Sequence, residues 1–565
     1  MKKIFFSVLF IALIISQNVV QAQSVTNLDT KMQWWKEARY GMFIHWGVYA
    51  LPAGVWKGKR TGDGRDGAWL VRDLKVPLAD YKAVAAKFNP TNFNADAWVQ
   101  FAKSVGFKYI VVTAKHHDGF ALFPSKVSTF NIVDATPFKR DVIKELAVAC
   151  KKQNIKLGLY YSQAQDWSNG GANFGNDAWW DESQKNRDFD KYIDSIVVPQ
   201  VKEILAYEPD IIWWDTPVNM TKERAAKIQA ILANYPNIIT NNRLGGGVGG
   251  DFGTPEQVIP ASAGSKYWES CLTTSSTNTW GFKSRDSVWK SATFLIRSMV
   301  DIMSKGGNLL LNVGPDAQGN FPKGVMDTLK TINTWLKTNG ESIYASSASP
   351  FPYLSFGTAT QKNNALYLHI LKWPADGKIK IPLKSEVAKA TFLAAPKTNI
   401  TFTKDEKYVY ITLPKKPIDT MVTVLKLDIK GSAVSSVANL IPSINKTATA
   451  SSEESPNNKA GNAFDTKSGV WRPAKDQKTA WLQVDLGEPT SIGAITINEY
   501  AGSNIKQFAI EYKVGEEWKT LLEGKTIGAK FVAEFVPIKA QIFRLNILDS
   551  SKQPQISDMI LFYAE

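Results

Sequence analysis

Two of the four histidines in the chain stand side by side in VVTAKHHDGF, as His116 and His117, directly after an apolar run. Neutral imidazoles donate and accept hydrogen bonds near pH 7, so such a pair at a strand end serves either a polar ligand or solvent. The same form, apolar residues closed by a reactive one, recurs where His45 closes GMFIH and Asp215 closes IIWWD. Burial beside Trp213 and Trp214 would raise the pKa of Asp215, and a cation such as Arg243, with the histidines, would keep it ionised. An ionised, positioned carboxylate is what a retaining glycosidase uses as nucleophile; the spacing also suits an aspartate that caps a following helix. Such chemistry needs a second carboxyl group to protonate the leaving oxygen. Glu256, in the glycine-rich loop GDFGTPEQ, and Glu269, in the strand KYWESC, are the candidates. The loop position favours Glu256, and the strand position suits Glu269 to an orienting role.

These residues need a frame that gathers them. Seven apolar segments, GMFIHWG, YIVVTAKHH, IKLGLYYS, DIIWWDT, NIITNNR, KYWESC and NLLLNVGP, alternate with helical patterns such as KRDVIKELAVACKKQ and ATFLIRSMVDIMSKGG. Strands alternating with helices predict parallel pairing, and this many units predict a closed (β/α)8-type barrel over 23–345, with one or two helices degenerate. His45, the His116–His117 pair, Tyr160 and Tyr161, Asp215, the run Asn241, Asn242 and Arg243, and Glu269 all fall at or near strand C-terminal ends. In a barrel those ends open on one face. Alternation in ALYLHILKW, KIKIPL and YVYITL predicts a β-sandwich over 346–430, with His369 on the strand face opposite the leucines, as a surface or rim residue. A serine-bearing linker at 431–440 leads to a second sandwich over 441–565.

Length and composition agree with three globular domains. The formal charge of +15 is spread along the chain, which reads as a solvated basic surface, and no nucleic-acid motif is present. The 19 tryptophans suit either sugar-facing walls or core filling. Lys2 and Lys3, the apolar run 4–15 and Val20-Gln21-Ala22 make residues 1–22 a secretory signal peptide, so the expected location is periplasmic or secreted. No later apolar stretch is long enough to span a membrane. Export permits a disulfide between Cys150 and Cys271, and two buried thiols fit equally well.

GMFIHWG, TAKHHDGFALFPS, LGLYYS, IIWWDT, NNRLGGG, WES…TWGF and SKGGNLLLNVGP, in this order from about residue 30 to 345, together resemble α-L-fucosidases of glycoside hydrolase family 29. The resemblance implies a barrel with a C-terminal β-sandwich, retaining double displacement, a fucosylated glycan substrate, and no metal or other cofactor. It implies Asp215 as nucleophile and Glu256 as acid/base, with Glu269 the alternative. It further implies sugar contacts from His45, Trp69, His116, His117, Tyr160 (or Tyr161), Trp213 and Arg243, and a wall at Trp280 for the C6 methyl group. One departure stands out: Ala68 precedes Trp69 where the family often has glutamate, which bears on substrate identity or affinity. The last block, with AFDTKSGVWRP, AWLQVDLG and FRLNIL, resembles a discoidin-like sandwich shared with family 32 carbohydrate-binding modules, which implies either that Trp471 and Arg472 face a sugar or that the module only packs against the barrel. Neither the oligomeric state nor the glycosidic linkage follows from these motifs.

Overall fold

The computed structural model describes residues 28–62, 66–172, 180–185, 187–260, 266–436, 441–465, 469–500, 504–528 and 530–563; the leader read at 1–22 lies outside them. Seven parallel strands form a curled sheet: β1 (Tyr40–Ile44), β2 (Tyr109–Lys115), β3 (Lys156–Tyr161), β4 (Ile211–Trp214), β5 (Ile239–Thr240), β6 (Glu269–Thr273) and β7 (Asn308–Val313). Their order is β5-β4-β3-β2-β1-β7-β6. The segment 252–256 bridges both edges in parallel, Phe252 to Asn241 on one side and Gly253 to Trp268 and Glu256 to Cys271 on the other. It is the eighth stave of the ring. Read from sequence as a loop, it is too rich in glycine and proline for a continuous ladder. No helix separates β5 from β6 among the described residues, which accounts for the degenerate units.

Helices α1 (Ala95–Ser104), α2 (Val142–Gln153), α3 (Val198–Leu205), α4 (Lys222–Leu232), α5 (Ala292–Ser304) and α6 (Lys323–Asn339) surround the sheet. Asn94, Asp141, Thr221 and Ser291 cap four of them, each side chain accepting a hydrogen bond from an otherwise unpaired amide of the first turn. Strands covered on both faces are apolar on both. Along them Phe43, Val111, Tyr160, Trp213 and Leu310 point into the ring, while Ile44, Val112, Tyr161, Trp214 and Leu311 pack on the outer helices. Gly41 faces inward where a Cβ would lie 2.2 Å from the Tyr109 ring, so only glycine lets that ring cross the barrel floor. A register irregularity between Thr113 and Lys115 re-phases the end of β2. Lys115 therefore turns outward to a fully buried ion pair with Asp166, 2.7 Å away, and His116 turns inward.

The next domain pairs β8 (Gly357–Lys362), β9 (Ala365–Ile370), β11 (Val387–Phe392) and β14 (Thr423–Ile429) in one sheet and β10 (Lys378–Ile381), β12 (Thr401–Lys404) and β13 (Val409–Thr412) in another. His369 departs from its expected exposed position. It is fully buried, its Nε2 lies 3.2 Å from Ser342 Oγ, and burial pushes its pKa down to about 3. The reason is that β9 has no solvent face: the leucines pack into the sandwich and the opposite face packs on the barrel, where the Trp335 indole N–H donates to Val422 O. Residues 433–436 of the expected linker extend this sandwich through a bridge from Ser435 to Leu383; 437–440 lie outside the described residues.

The C-terminal sandwich comprises β15 (Thr447–Ala450), β16 (Ala480–Glu499), β17 (Ile505–Val514), β18 (Glu517–Gly524), β19 (Phe531–Ser550) and β20 (Ile556–Tyr563). Trp471 does not face outward. It is 0% exposed in this domain's core, with its indole N–H donating to Ser452 O at 3.2 Å. Arg472, beside it, remains about one-third exposed.

Candidate active site

A cavity of about 400 Å³ opens at the C-terminal mouth of the barrel. His45, Trp69, His116, His117, Tyr160, Trp213, Asp215, Arg243, Glu256 and Trp280 line it, together with Phe43, Thr216, Pro217 and Cys271, which the sequence did not mark as site residues. Strand alternation separates the two tyrosines: Tyr160 enters the cavity, while the Tyr161 hydroxyl donates to Gln200 on the outer side, at 2.7 Å. Both thiols are free and buried.

Asp215 follows β4 at the inward phase set by Trp213. Its Oδ2 accepts from the Tyr160 hydroxyl at 2.7 Å. Its Oδ1 accepts from Arg243 Nη1 and from the Thr216 amide, each at 2.9 Å. Burial alone would raise this carboxyl, but the Arg243 charge and the hydrogen bonds from Arg243 and Tyr160 outweigh it and hold the pKa below the ordinary value. The same Arg243 Nη1 donates to Glu256 Oε2 at 2.9 Å. One nitrogen thus lies 2.9 Å from each carboxylate, so the two oxygens are at most about 5.8 Å apart. That bound on the nearest oxygens admits the roughly 5–5.5 Å spacing of the carboxyl groups in retaining glycosidases. Arg243 is itself held by Thr254, whose Oγ1 and carbonyl accept from Nε and Nη2 at 2.9 and 2.8 Å, and its guanidinium lies over the Trp213 ring. Thr254 left no signal in the sequence beyond its place in the glycine-rich segment.

The hydrogen-bond network fixes two imidazole tautomers. Asn312 donates its Nδ2–H to Trp280 O at 2.7 Å, so its Oδ1 accepts from His45 Nδ1–H at 2.7 Å. Ser162 donates to Gln165 O, so its Oγ accepts from His117 Nδ1–H at 2.7 Å. Each ring therefore turns an Nε2 lone pair inward, that of His117 lying 3.5 Å from Asp215 Oδ2. Burial lowers all three cavity imidazoles, His45 to about 3 and His117 to about 4, and His116 well below its ordinary value. They are neutral at pH 7. His116 Nδ1 has no protein partner among the described residues.

Glu269 takes a different place from the one expected. It opens β6 rather than ending it, level with Asn308 at the start of β7, and it does not line the cavity. It is fully buried, accepting from the Tyr109 hydroxyl and, at 3.2 Å, from Trp213 Nε1–H. It props the indole that forms the cavity floor. Burial, partly opposed by those bonds, pushes its pKa up to about 7. A folded value above the unfolded one, about 4.3, means that its charge costs stability above pH 7 and that the cost is relieved as pH falls. Thermal unfolding of Glu269→Gln should therefore show a gain over the parent of about 2–4 °C at pH 8.5 that shrinks toward pH 5. A difference independent of pH would show that this carboxyl is not held protonated by the fold.

Ala68 also lies away from the cavity. Gly67–Trp69 form a single 3-10 turn that aims Trp69 at the opening and buries Ala68 against Gly281, where an added Cβ would sit 3.1 Å from it. The carboxylate of this turn is Asp66, whose oxygens accept from the amides of Ala68, Trp280 and Gly281 at 2.9, 3.2 and 3.0 Å. Asp66 ties the Trp69 turn to the Trp280 turn. Burial, opposed by those amides, pushes its pKa up to about 6.

The alpha-L-fucosidase family profile matches residues 12–341. An alpha-L-fucosidase of Dictyostelium discoideum is 30% identical over 445 residues, covering 73% of this chain and 92% of the relative. The chain belongs to the alpha-L-fucosidase family. Among solved structures, alpha-L-fucosidase isoenzyme 1 of Paenibacillus thiaminolyticus matches at a TM-score of 0.64 and 33% identity, covering 72% of this chain and 100% of that one. A family 29 alpha-L-fucosidase of Bacteroides thetaiotaomicron, trapped as a covalent intermediate with 2-fluoro-fucosyl fluoride, matches at 0.64 and 28%, covering 71% and 97%. The F5/8 type C domain profile matches residues 447–560. As a fucosidase the chain is a glycoside hydrolase whose substrate is a glycan. No helix among the described residues is long and apolar enough to cross a membrane.

Proposed function

We propose that this fucosidase is exported and removes terminal α-L-fucose by double displacement, with Asp215 as nucleophile and Glu256 as acid/base. The observation that carries this reading is the shared Arg243 nitrogen, 2.9 Å from each carboxylate, which supports a pair close enough for retention. Glu256 gives its proton to the glycosidic oxygen as the Asp215 carboxylate attacks the anomeric carbon. The aglycone leaves as an alcohol and an aspartyl ester of fucose remains. Glu256, now ionised, takes a proton from water as that water attacks the same carbon, and Asp215 departs as carboxylate. Arg243 and the Tyr160 hydroxyl favour the ionised Asp215 needed at the start of each cycle. The Nε2 lone pairs of His45 and His117 suit sugar hydroxyl donors. The Trp280 ring, 5.1 Å from His45 and 5.9 Å from Phe43 between centroids, offers an apolar surface where a deoxy sugar carries a methyl group. A cavity of this size, floored by Phe43 and Trp213, fits one terminal residue. The leader at 1–22 supports export to the periplasm or beyond.

Proton NMR of aryl α-L-fucoside hydrolysis tests this reading. α-L-Fucose should appear first and mutarotate afterwards. Release of the β-anomer first, or no release, would reject it.

A further inference from the structure

We propose that the F5/8 type C domain completes the leaving-group side of the active site, with Tyr500 and Arg472 forming the platform on which the sugar attached to fucose rests. This rests on the reading that the barrel cleaves fucosides through Glu256. If Glu256 protonates the glycosidic oxygen, the leaving sugar must extend outward from the segment that carries it. That segment is where the C-terminal domain docks. Asn498 Nδ2 donates to Ile259 O at 3.4 Å, and a cavity of about 380 Å³ is walled by Gln257, Val258 and Ile259 from the barrel and by Asn498, Glu499 and Ser557 from the C-terminal domain.

Tyr500 comes next in the chain and is half-buried. Burial and then the nearby negative charge of Glu256 push its phenol above the ordinary value, with Arg472 and Arg243 acting in the opposite sense. Tyr500 is placed by its neighbours: Glu499 lines that cavity with Gln257, the residue after Glu256, and Trp471, the residue before Arg472, pairs with Ile556. Its backbone is held firmly: the Tyr500 amide donates to Gln555 O at 2.8 Å, and the preceding Glu499 carboxylate accepts from the amides of Asn504, Ile505 and Gly528 at 2.6, 3.1 and 3.3 Å. Arg472 is only loosely engaged, 3.5 Å from Glu454, and its side chain is about one-third exposed. An aromatic face for the C–H side of a pyranose and a guanidinium for its hydroxyls are what a sugar subsite requires.

The experiment compares the parent with Tyr500→Ala and Arg472→Ala on two substrates: α-L-fucosyl fluoride, whose leaving group is one atom, and whichever fucosylated disaccharide the parent cleaves fastest. The kcat/KM ratio of disaccharide to fluoride should fall about tenfold in Tyr500→Ala, the factor that corresponds to about 1.4 kcal/mol, and several-fold in Arg472→Ala, while Tyr500→Phe keeps most of it. An unchanged ratio would overturn the proposal, whether neither substrate slows or both slow equally through a disturbed Glu256 segment. Should Tyr500→Ala fail to fold, Arg472→Ala and Tyr500→Leu decide by the same ratio. A parent that does not hydrolyse the fluoride at all would instead reject the fucosidase assignment of the site, and the platform with it.

Discussion

Asp215→Gly is expected to lower kcat/KM for an aryl α-L-fucoside by roughly 10⁴-fold or more, because the proposed mechanism passes through an ester on this carboxylate in both steps. The loss should be specific in kind. Glycine leaves a space beside the anomeric carbon, and azide added at high concentration should restore turnover by attacking from the same side. The product should be β-L-fucosyl azide, with configuration inverted, since only one displacement then occurs. The fold should persist. Asp215 keeps 16% of its side chain exposed, and removing it frees Tyr160 and Arg243 at the open mouth of the barrel rather than in its core. Full activity in this variant would remove Asp215 from the reaction.

Glu256→Ala is expected to behave differently, and the difference separates it from Glu269. Without a proton donor, a substrate with a poor leaving group should lose roughly 10³-fold in kcat, within the range of general-acid contributions. One with a very good leaving group, such as fluoride or dinitrophenolate, should lose far less in the first step and accumulate fucosyl-enzyme for want of a base in the second. Azide should then release α-L-fucosyl azide, with configuration retained, the opposite of the Asp215→Gly product. Glu269→Gln should show neither dependence on leaving group nor azide rescue, since Glu269 reaches the cavity only through Trp213. The same pattern from Glu269 would exchange the two roles.

The period-2 run of the strands made much of this site readable in advance. IIWWD places one indole inward and one outward and brings Asp215 back to the inward phase; the barrel does the same with Tyr160 and Tyr161. What the chain did not disclose has identifiable physical causes. KYWESC looks like a strand that ends in glutamate, but pairing starts at Glu269, so the residue falls on the barrel floor. Apolar content alone does not say which end of a short strand is which. GDFGTPEQ carries too much glycine and proline to look like sheet, yet isolated bridges suffice to close the ring there. His369 and Trp471 looked outward only because nothing in sequence shows that another domain, or the domain's own core, covers the second face. Ala68 stood out against the family pattern, whereas the working carboxylate of that turn, Asp66, acts on backbone amides more than 200 positions away. Asn498 lies still farther, 239 positions, from the Ile259 carbonyl it meets. Contacts of that range are made by domain docking and leave no local pattern.

The most direct test of the account is to inactivate the enzyme with 2-deoxy-2-fluoro-α-L-fucosyl fluoride, digest it and sequence the labelled peptide by mass spectrometry. The fluorine at C2 slows both steps and the good leaving group spares the first, so the ester should accumulate. The account predicts one fluorofucosyl adduct per chain, on Asp215. An adduct on Glu256, on Glu269 or on any other carboxylate would contradict it.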